Sequence, residues 1–374
     1  MSAGFLIGVY PTLARVAAAR SGPRAFPFTE PGLTLTHLGR GAVWLAMRAL
    51  GLGPGSRVAM PAYHCGSDVE AVRLAGAEID FYRVDASLRV DEGDLARAAA
   101  SADATYLISH FGLPMPRPPD GLVIEDAAHG LFSDGPEGPL GSRGDAAIFC
   151  PRKSLGVPDG GALLLRQGER VTARGRPPAG AMARSLVSLL AGRAALAERR
   201  LVRGVASALI GRASRADAAA QRGVLTETVI GEWDLEVADM ESAASRPSRL
   251  TALAAPVADA EAIRARRRAN YALLASELGE LCPEPYRELP PGTCPLYFPV
   301  LAADRSAAIA RMLESGVRAI EVWPVPHPLL DRGRFAELEP ARAQLLALPV
   351  HQDLEPRHMD IVTRAAGTAL AATP

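Results

Sequence analysis

The sequence predicts an α/β protein: a large domain with a mostly parallel sheet sandwiched by helices, then a smaller C-terminal α+β domain. Three observations predict it. Short apolar runs alternate with helical or loop-like stretches between Val58 and Leu165, the pattern of a parallel sheet covered on both faces. Polar residues gather just after those runs, where ligands sit in open α/β sheets. The 374 residues are 48% hydrophobic and 22% charged, which supports a sizeable core and excludes global disorder.

The elements follow in order. Residues 1–35 read as an irregular, Pro- and Gly-rich segment, 36–250 as the large domain and 251–374 as the small one. A helix opens at GRGA (39–42) and stops at Gly51 and Pro54. Strands are predicted at Val58–Pro61, Ile79–Val84, Ala104–Ser109, Leu122–Glu125, Ala146–Phe149 and Ala162–Leu165, with helices at Ser67–Leu74 and Asp94–Ala100. From about 180 to 222 the chain is rich in Ala and Arg with apolar residues at helical spacing. These read as surface helices covering the sheet; the alternative is a basic amphipathic helix docking on a membrane surface or partner. Residues 240–280 read as helices whose Arg cluster, RARRRANY, forms a solvated face. A strand at Leu296–Leu301, a helix at Ala307–Ser315, the turn WPVPHP and a last helix from about Pro356 to Ala372 complete the small domain.

Bulk properties exclude several classes. The formal net charge is zero, which gives no general attraction to nucleic acid or an acidic membrane. Four scattered cysteines make no disulfide scaffold, so a reducing cytoplasm is expected. No run of 18 apolar residues predicts a membrane span, and the N-terminus lacks the charged region that opens a signal peptide.

The chain has one lysine. Of its 41 basic residues, 40 are Arg and one is Lys153. Arg stays protonated, whereas a Lys amine can lose its proton and condense with a carbonyl. Lys153 lies in GDAAIFCPRKSLGVPDGG, just past a predicted strand and 27 residues after Asp126. That gap lets the chain leave one strand and return on a neighbour. Asp126 and His129 lie in LVIEDAAHG, where a strand-end carboxylate can accept from a cationic ring nitrogen. GRGA offers helix N-terminal N–H groups and a glycine, a cradle for phosphate. His327 sits on the Pro-flanked turn, and Tyr63-His64 and His110 follow other strands. An amine for an aldehyde, an acid for a pyridine nitrogen and a helix N-terminus for a phosphate are what pyridoxal 5'-phosphate requires of a protein. Lys near its ordinary pKa is only about 0.04% neutral at pH 7, so the site is expected to favour the neutral amine by burial or by a cation such as Arg152.

In this order the motifs GRGAVWLAMRALGLGPGSRVAMPAYHC, LAGAEIDFYRVD, YLISHFGLP, LVIEDAAHG, GDAAIFCPRKSLGVPDGGALL, VWPVPHPLL and ALPVHQDLEP resemble the DegT/DnrJ/StrS aminotransferases. That resemblance implies fold type I, pyridoxal phosphate, and a homodimer with its active site between subunits. It makes Lys153 the lysine that bonds the cofactor and carries the proton. Asp126 becomes the partner of the ring nitrogen and His129 a neighbour of the ring. Gly41 and Ala42 become backbone donors to the phosphate. His64-Cys65 stand where the family has a stacking aromatic, so His64 is expected to stack instead. Cys150 stands nearest the family's phosphate-binding Ser, and Arg40 where Thr is common, from where its guanidinium can reach the phosphate. His110 and His327 are candidate substrate contacts. The family's partner-subunit Asn has no counterpart in LEVADMESA. The implied reaction transfers an amino group from an amino acid, Glu or Gln, to a small-molecule keto acceptor such as a keto-sugar. Elimination, decarboxylation or condensation on the same scaffold, or a non-catalytic regulatory role, are the alternatives.

Overall fold

A computed structural model describes residues 7–13, 23–118, 120–196 and 239–371. The architecture is built on a seven-stranded sheet. Its strands are β1 (Leu33–Thr36), β2 (Arg57–Pro61), β3 (Glu78–Tyr82), β4 (Ala104–Ile108), β5 (Leu122–Asp126), β8 (Ala146–Phe149) and β9 (Gly161–Leu165), with a small hairpin of β6 (Asp134–Gly135) and β7 (Gly138–Pro139) between. The spatial order is β1-β9-β8-β5-β4-β2-β3. The pairs from β3 through β8 are parallel, while β9 is antiparallel to both β8 and β1. Six strands therefore point one way and β9 the other. The strands read as apolar runs because both faces are covered: every residue of ATYLI in β4 and AAIF in β8 is buried.

The helices α1 (Gly39–Ala49), α2 (Ser67–Leu74) and α3 (Glu92–Ala99) connect the early strands. Asp91 caps α3 by accepting from Asp94 N–H. Gly41 in α1 is dictated by packing: a Cβ there would lie 2.1 Å from Ala243 O. Gly161 has the same role at the start of β9, where a Cβ would fall 2.4 Å from the Leu38 carbonyl. Two glycines thus clamp the start of α1 between β9 and the 243–244 turn.

A second sheet, antiparallel, has the order β10-β12-β11, from β10 (Tyr297–Leu301), β11 (Ile320–Glu321) and β12 (Leu345–Pro349). The helices Ala260–Leu278 and Pro356–Ala371 pack against one another beside it.

Several expectations are corrected. Residues 33–36 form a strand, because LTLT alternates and finds a partner in β9. The RARRRANY stretch is not a solvated face: Arg267 is 1% exposed and Asn270 is 2% exposed. Arg267 makes four hydrogen bonds, to Gln352 Oε1 and to the carbonyls of Pro295, Leu296 and Ser154. The helix α5 (Ala179–Ala195) does not cover the sheet; only Ala195 of it is buried. The rest of the 180–222 stretch, from 197 on, lies outside the described residues, as do 235–238 of LEVADMESA.

Candidate active site

The carboxyl ends of the parallel strands meet at one edge. Asp126, the last residue of β5, pairs with Ile108 at the end of β4 and with Ile148 in β8. Beyond β8 the chain makes one short helix, α4 (Pro151–Ser154), which carries Lys153. Lys153 and Asp126 thus leave neighbouring strands at the same level. The turn bearing the lysine is fixed from two sides. The Ser154 carbonyl accepts from Arg267 Nη2 and from Gln352 Nε2, both at 3.0 Å. Asp159, fully buried in the following loop, accepts from His37 Nδ1 at 3.0 Å, from Ser248 N and Oγ at 2.8 Å each, and from Thr251 Oγ1. Those donors hold its carboxyl below the ordinary range although burial alone would raise it. Gly160 (φ +130°) then turns the chain into β9.

The electrostatics centre on Lys153 and Asp126. Burial raises the Asp126 carboxyl; Tyr106, Lys153 and the Ala128 N–H oppose this without cancelling it. Its Oδ2 accepts from Tyr106 Oη at 2.7 Å and its Oδ1 from Ala128 N at 2.8 Å, which leaves each oxygen a further lone pair. Burial favours a neutral Lys153 amine, but Cys150, Cys65, Tyr10 and Asp126 outweigh it and hold the pKa above its ordinary value. Arg152, the cation expected to promote the neutral amine, is exposed, and the groups that act on the Lys153 amine are acids. A second buried carboxyl, Asp68 at the start of α2, is pushed up to about 6, first by burial and then by the charge of Asp126.

The other expected residues divide. His129 is 4% exposed and its Nδ1 accepts from Phe111 N at 3.4 Å, so Nε2 carries the proton of the neutral ring. Burial, with Lys153 and His110 adding, keeps that ring from protonating. Cys65 is partly exposed, donates toward Asp68 Oδ1 at 3.4 Å, and is raised to about 12 by burial, with Asp68 contributing. Cys150 is buried beside the helix start, its Sγ 3.7 Å from where a Gly39 Cβ would be, and donates to Gly160 O at 3.4 Å. His64 does not face open space: it is wholly buried and stacked on Phe81 at 5.4 Å and 21°, so no ligand ring reaches it without rearrangement. Gly41 and Ala42 both donate their N–H to Leu38 O, at 3.1 and 3.3 Å. These two amides are therefore spent on the helix's own start. His327 Nε2 donates to Glu70 Oε2 at 3.0 Å, 5% exposed, and so ties the WPVPHP turn to α2 instead of facing a substrate.

Three contributors were missed at the level of sequence. Trp323, the first residue of WPVPHP, lies over His129 at 5.2 Å and 31°, and also contacts His110 and Tyr63, each at 5.5 Å. It adopts φ +45° and Phe111, across the same ring, φ +53°, a costly conformation for bulky residues that clusters at functional sites. Tyr106 was signalled by its hydroxyl in an otherwise apolar strand, which needs a partner when buried. Tyr10, in the N-terminal strap, meets Tyr297 edge-on at 5.9 Å and lies within electrostatic reach of Lys153. His110 donates Nε2–H to Tyr63 O at 3.1 Å, and burial lowers it to about 4.

Pyridoxal phosphate suits this donor set. Lys153 supplies an amine, Asp126 has acceptor capacity at a strand end, His129 and Trp323 supply rings, and the start of α1 at Gly39 lies next to Cys150. Reversed β9, the strand order and the lysine after β8 define a fold-type-I pyridoxal-phosphate enzyme fold. It is the fold of the DegT/DnrJ/EryC1/StrS aminotransferases. The chain aligns over its whole length with TlmJ, an aminotransferase of Streptoalloteichus hindustanus (TM-score 0.61, 20% identity, 100% and 99% of the two chains). A DegT/DnrJ/EryC1/StrS aminotransferase of Brucella abortus gives TM-score 0.59 and 17% identity over 96% and 94%. Curated relatives also match in sequence over part of the chain. Spore coat polysaccharide biosynthesis protein SpsC of Bacillus subtilis is 29% identical over 134 residues, 33% of this chain and 34% of that one. UDP-N-acetyl-3-dehydro-alpha-D-glucosamine 3-aminotransferase of Acidithiobacillus ferrooxidans is 33% identical over 144 residues, 35% and 39%. The chain thus spans a little over a third of the length of these relatives. No protein-family model matches it.

Proposed function

We propose that the protein is a pyridoxal-phosphate-dependent aminotransferase that moves an amino group from an amino acid, Glu or Gln, to a keto-sugar. The observation that carries this reading is the placement of Lys153. The sole lysine of 374 residues emerges at the carboxyl edge of the sheet, one strand from Asp126. The names of SpsC and of the 3-aminotransferase support a sugar acceptor.

When bound, pyridoxal phosphate supplies an electron sink. The chain's residues supply the rest. Lys153 holds the cofactor and moves a proton at its Nζ. Asp126, oriented by Tyr106 and Ala128, would accept from the ring nitrogen and keep it charged. His129, kept neutral and with Trp323 over it, would sit beside the ring. Gly39 N–H, Arg40 and Cys150, together at the start of α1, would hold the phosphate. A homodimer completing the pocket belongs to this reading.

Protein purified with the cofactor is expected to show its visible absorbance and to lose it on adding Glu or Gln. Lys153→Ala and Lys153→Arg are both expected to abolish amino transfer. A Lys153→Arg protein that still transfers amino groups would remove the reading.

A further inference from the structure

The helix α5 is held by one side and shows the other to solvent. On the held side, Ala195 is buried, Leu196 packs on the core, and Leu13 N–H donates to Leu189 O at 3.4 Å. A Cβ on Gly192 would meet Thr12 Cγ2 at 3.1 Å. On the other side Leu186, Val187 and Leu190 are 37%, 63% and 49% exposed. At about 100° per residue these three and Ala183 share one arc about 100° wide. Arg193 lies at one edge of the arc, its Nη1 donating to Leu13 O at 3.3 Å, and Arg184 beyond the other, and both are exposed. The result is an apolar stripe between two guanidinium groups.

Charge selects what can cover this stripe. The whole chain is formally neutral, yet its described residues from Arg170 to Leu196 hold five arginines, no carboxylate and none of the candidate active-site residues. Arg stems can lie along hydrocarbon while their heads stay among phosphates. An apolar stripe with basic borders is the form of a helix that lies in a bilayer interface, and no described helix is long and apolar enough to cross one. We infer that the exposed face of α5 docks on an anionic lipid bilayer. The inference does not rest on the aminotransferase reading.

The test uses the full-length protein, loaded with pyridoxal phosphate, in flotation with vesicles of phosphatidylcholine alone or mixed with phosphatidylglycerol. The protein is expected to float with the mixed vesicles, to stay behind with phosphatidylcholine alone, and to be released by salt. A Leu186→Glu/Val187→Glu/Leu190→Glu variant and, separately, an Arg184→Glu/Arg193→Glu variant are each expected to lower binding by about tenfold or more. Both should keep the wild-type circular dichroism and thermal midpoint. Wild-type protein that ignores the anionic vesicles overturns the inference. So does a folded triple variant that floats as well as wild type. If the triple variant instead converts an oligomer to monomer in sedimentation velocity and vesicle binding persists, the face joins copies of the chain and the inference fails.

Discussion

At the scale of single residues, the pocket edge is a set of buried groups that resist charging. His110 is 1% exposed, its Nε2–H committed to Tyr63 O and its Nδ1 buried without an acceptor. Protonation would place an unpaired charge there, which is why burial lowers it from 6.5 to about 4. Between those values the unfolded chain binds the proton and the native one does not. His110 therefore withdraws stability as pH falls from about 6.5 to 4, on the order of 3 kcal/mol when complete. Asp68 acts oppositely: its folded value near 6 exceeds its ordinary 3.8, so acidification over that range favours the native state. Denaturant titrations of wild type and His110→Gln separate the two. The variant keeps a donor for Tyr63 O and is expected to lose less stability between pH 6.5 and 4. Identical acid limbs would show that His110 does not titrate as its burial implies.

At the scale of elements, the helix Ala260–Leu278 positions the lysine turn from a distance. Arg267 reaches from it to Ser154 O, one residue past Lys153, while also satisfying Pro295 and Leu296. Arg267→Ala leaves three buried carbonyls short of a donor and is expected to destabilise the fold by about 3–5 kcal/mol, read as a shifted denaturation midpoint. Sequence periodicity could not reveal this. Four arginines in RARRRANY look like a wet face, because burial of one depends on carbonyls 28 and 113 residues away. The parallel strands were legible, since strands covered on both faces read as unbroken apolar runs. So was the emergence of Lys153 and Asp126 from neighbouring strands, because the gap between them fits one strand-to-strand excursion. The antiparallel β1 was not, being four residues in a Pro- and Gly-rich stretch and dependent on β9 for its partner. The phosphate end was half legible. GRGA marks the helix start, but the Gly41 and Ala42 amides go to the Leu38 carbonyl, and Gly41 answers to Ala243.

At the scale of the whole molecule, the two sheets are joined by side chains that also shape the pocket. Arg342, 3% exposed, donates Nη2 to Ala62 O at 2.7 Å and Nη1 to Trp323 O at 3.0 Å, and lies 5.0 Å from the Tyr63 ring. His327 and Glu70 make a second buried tie between the same parts. Trp323 is thus held over His129 by the joint itself. Arg342→Lys, which cannot span both carbonyls with a planar fork, is expected to raise KM for the acceptor several-fold with a smaller change in kcat. His327→Gln, which keeps a donor toward Glu70, should be milder. Steady-state kinetics of the two variants check this ordering, and equal effects on kcat alone would count against it.

The solitary lysine has a practical corollary. A lysine-specific protease has one side-chain target in this chain, the Lys153–Ser154 bond, and cleavage after denaturation gives pieces of 153 and 221 residues. Borohydride treatment of the loaded protein should seal that bond against the enzyme by capping the amine. A two-band gel that becomes one band then reports, molecule by molecule, how much of a preparation carries its cofactor. The same arithmetic warns against amine-coupled immobilisation: apart from the N-terminus, the only amine a resin could take is the one in the pocket.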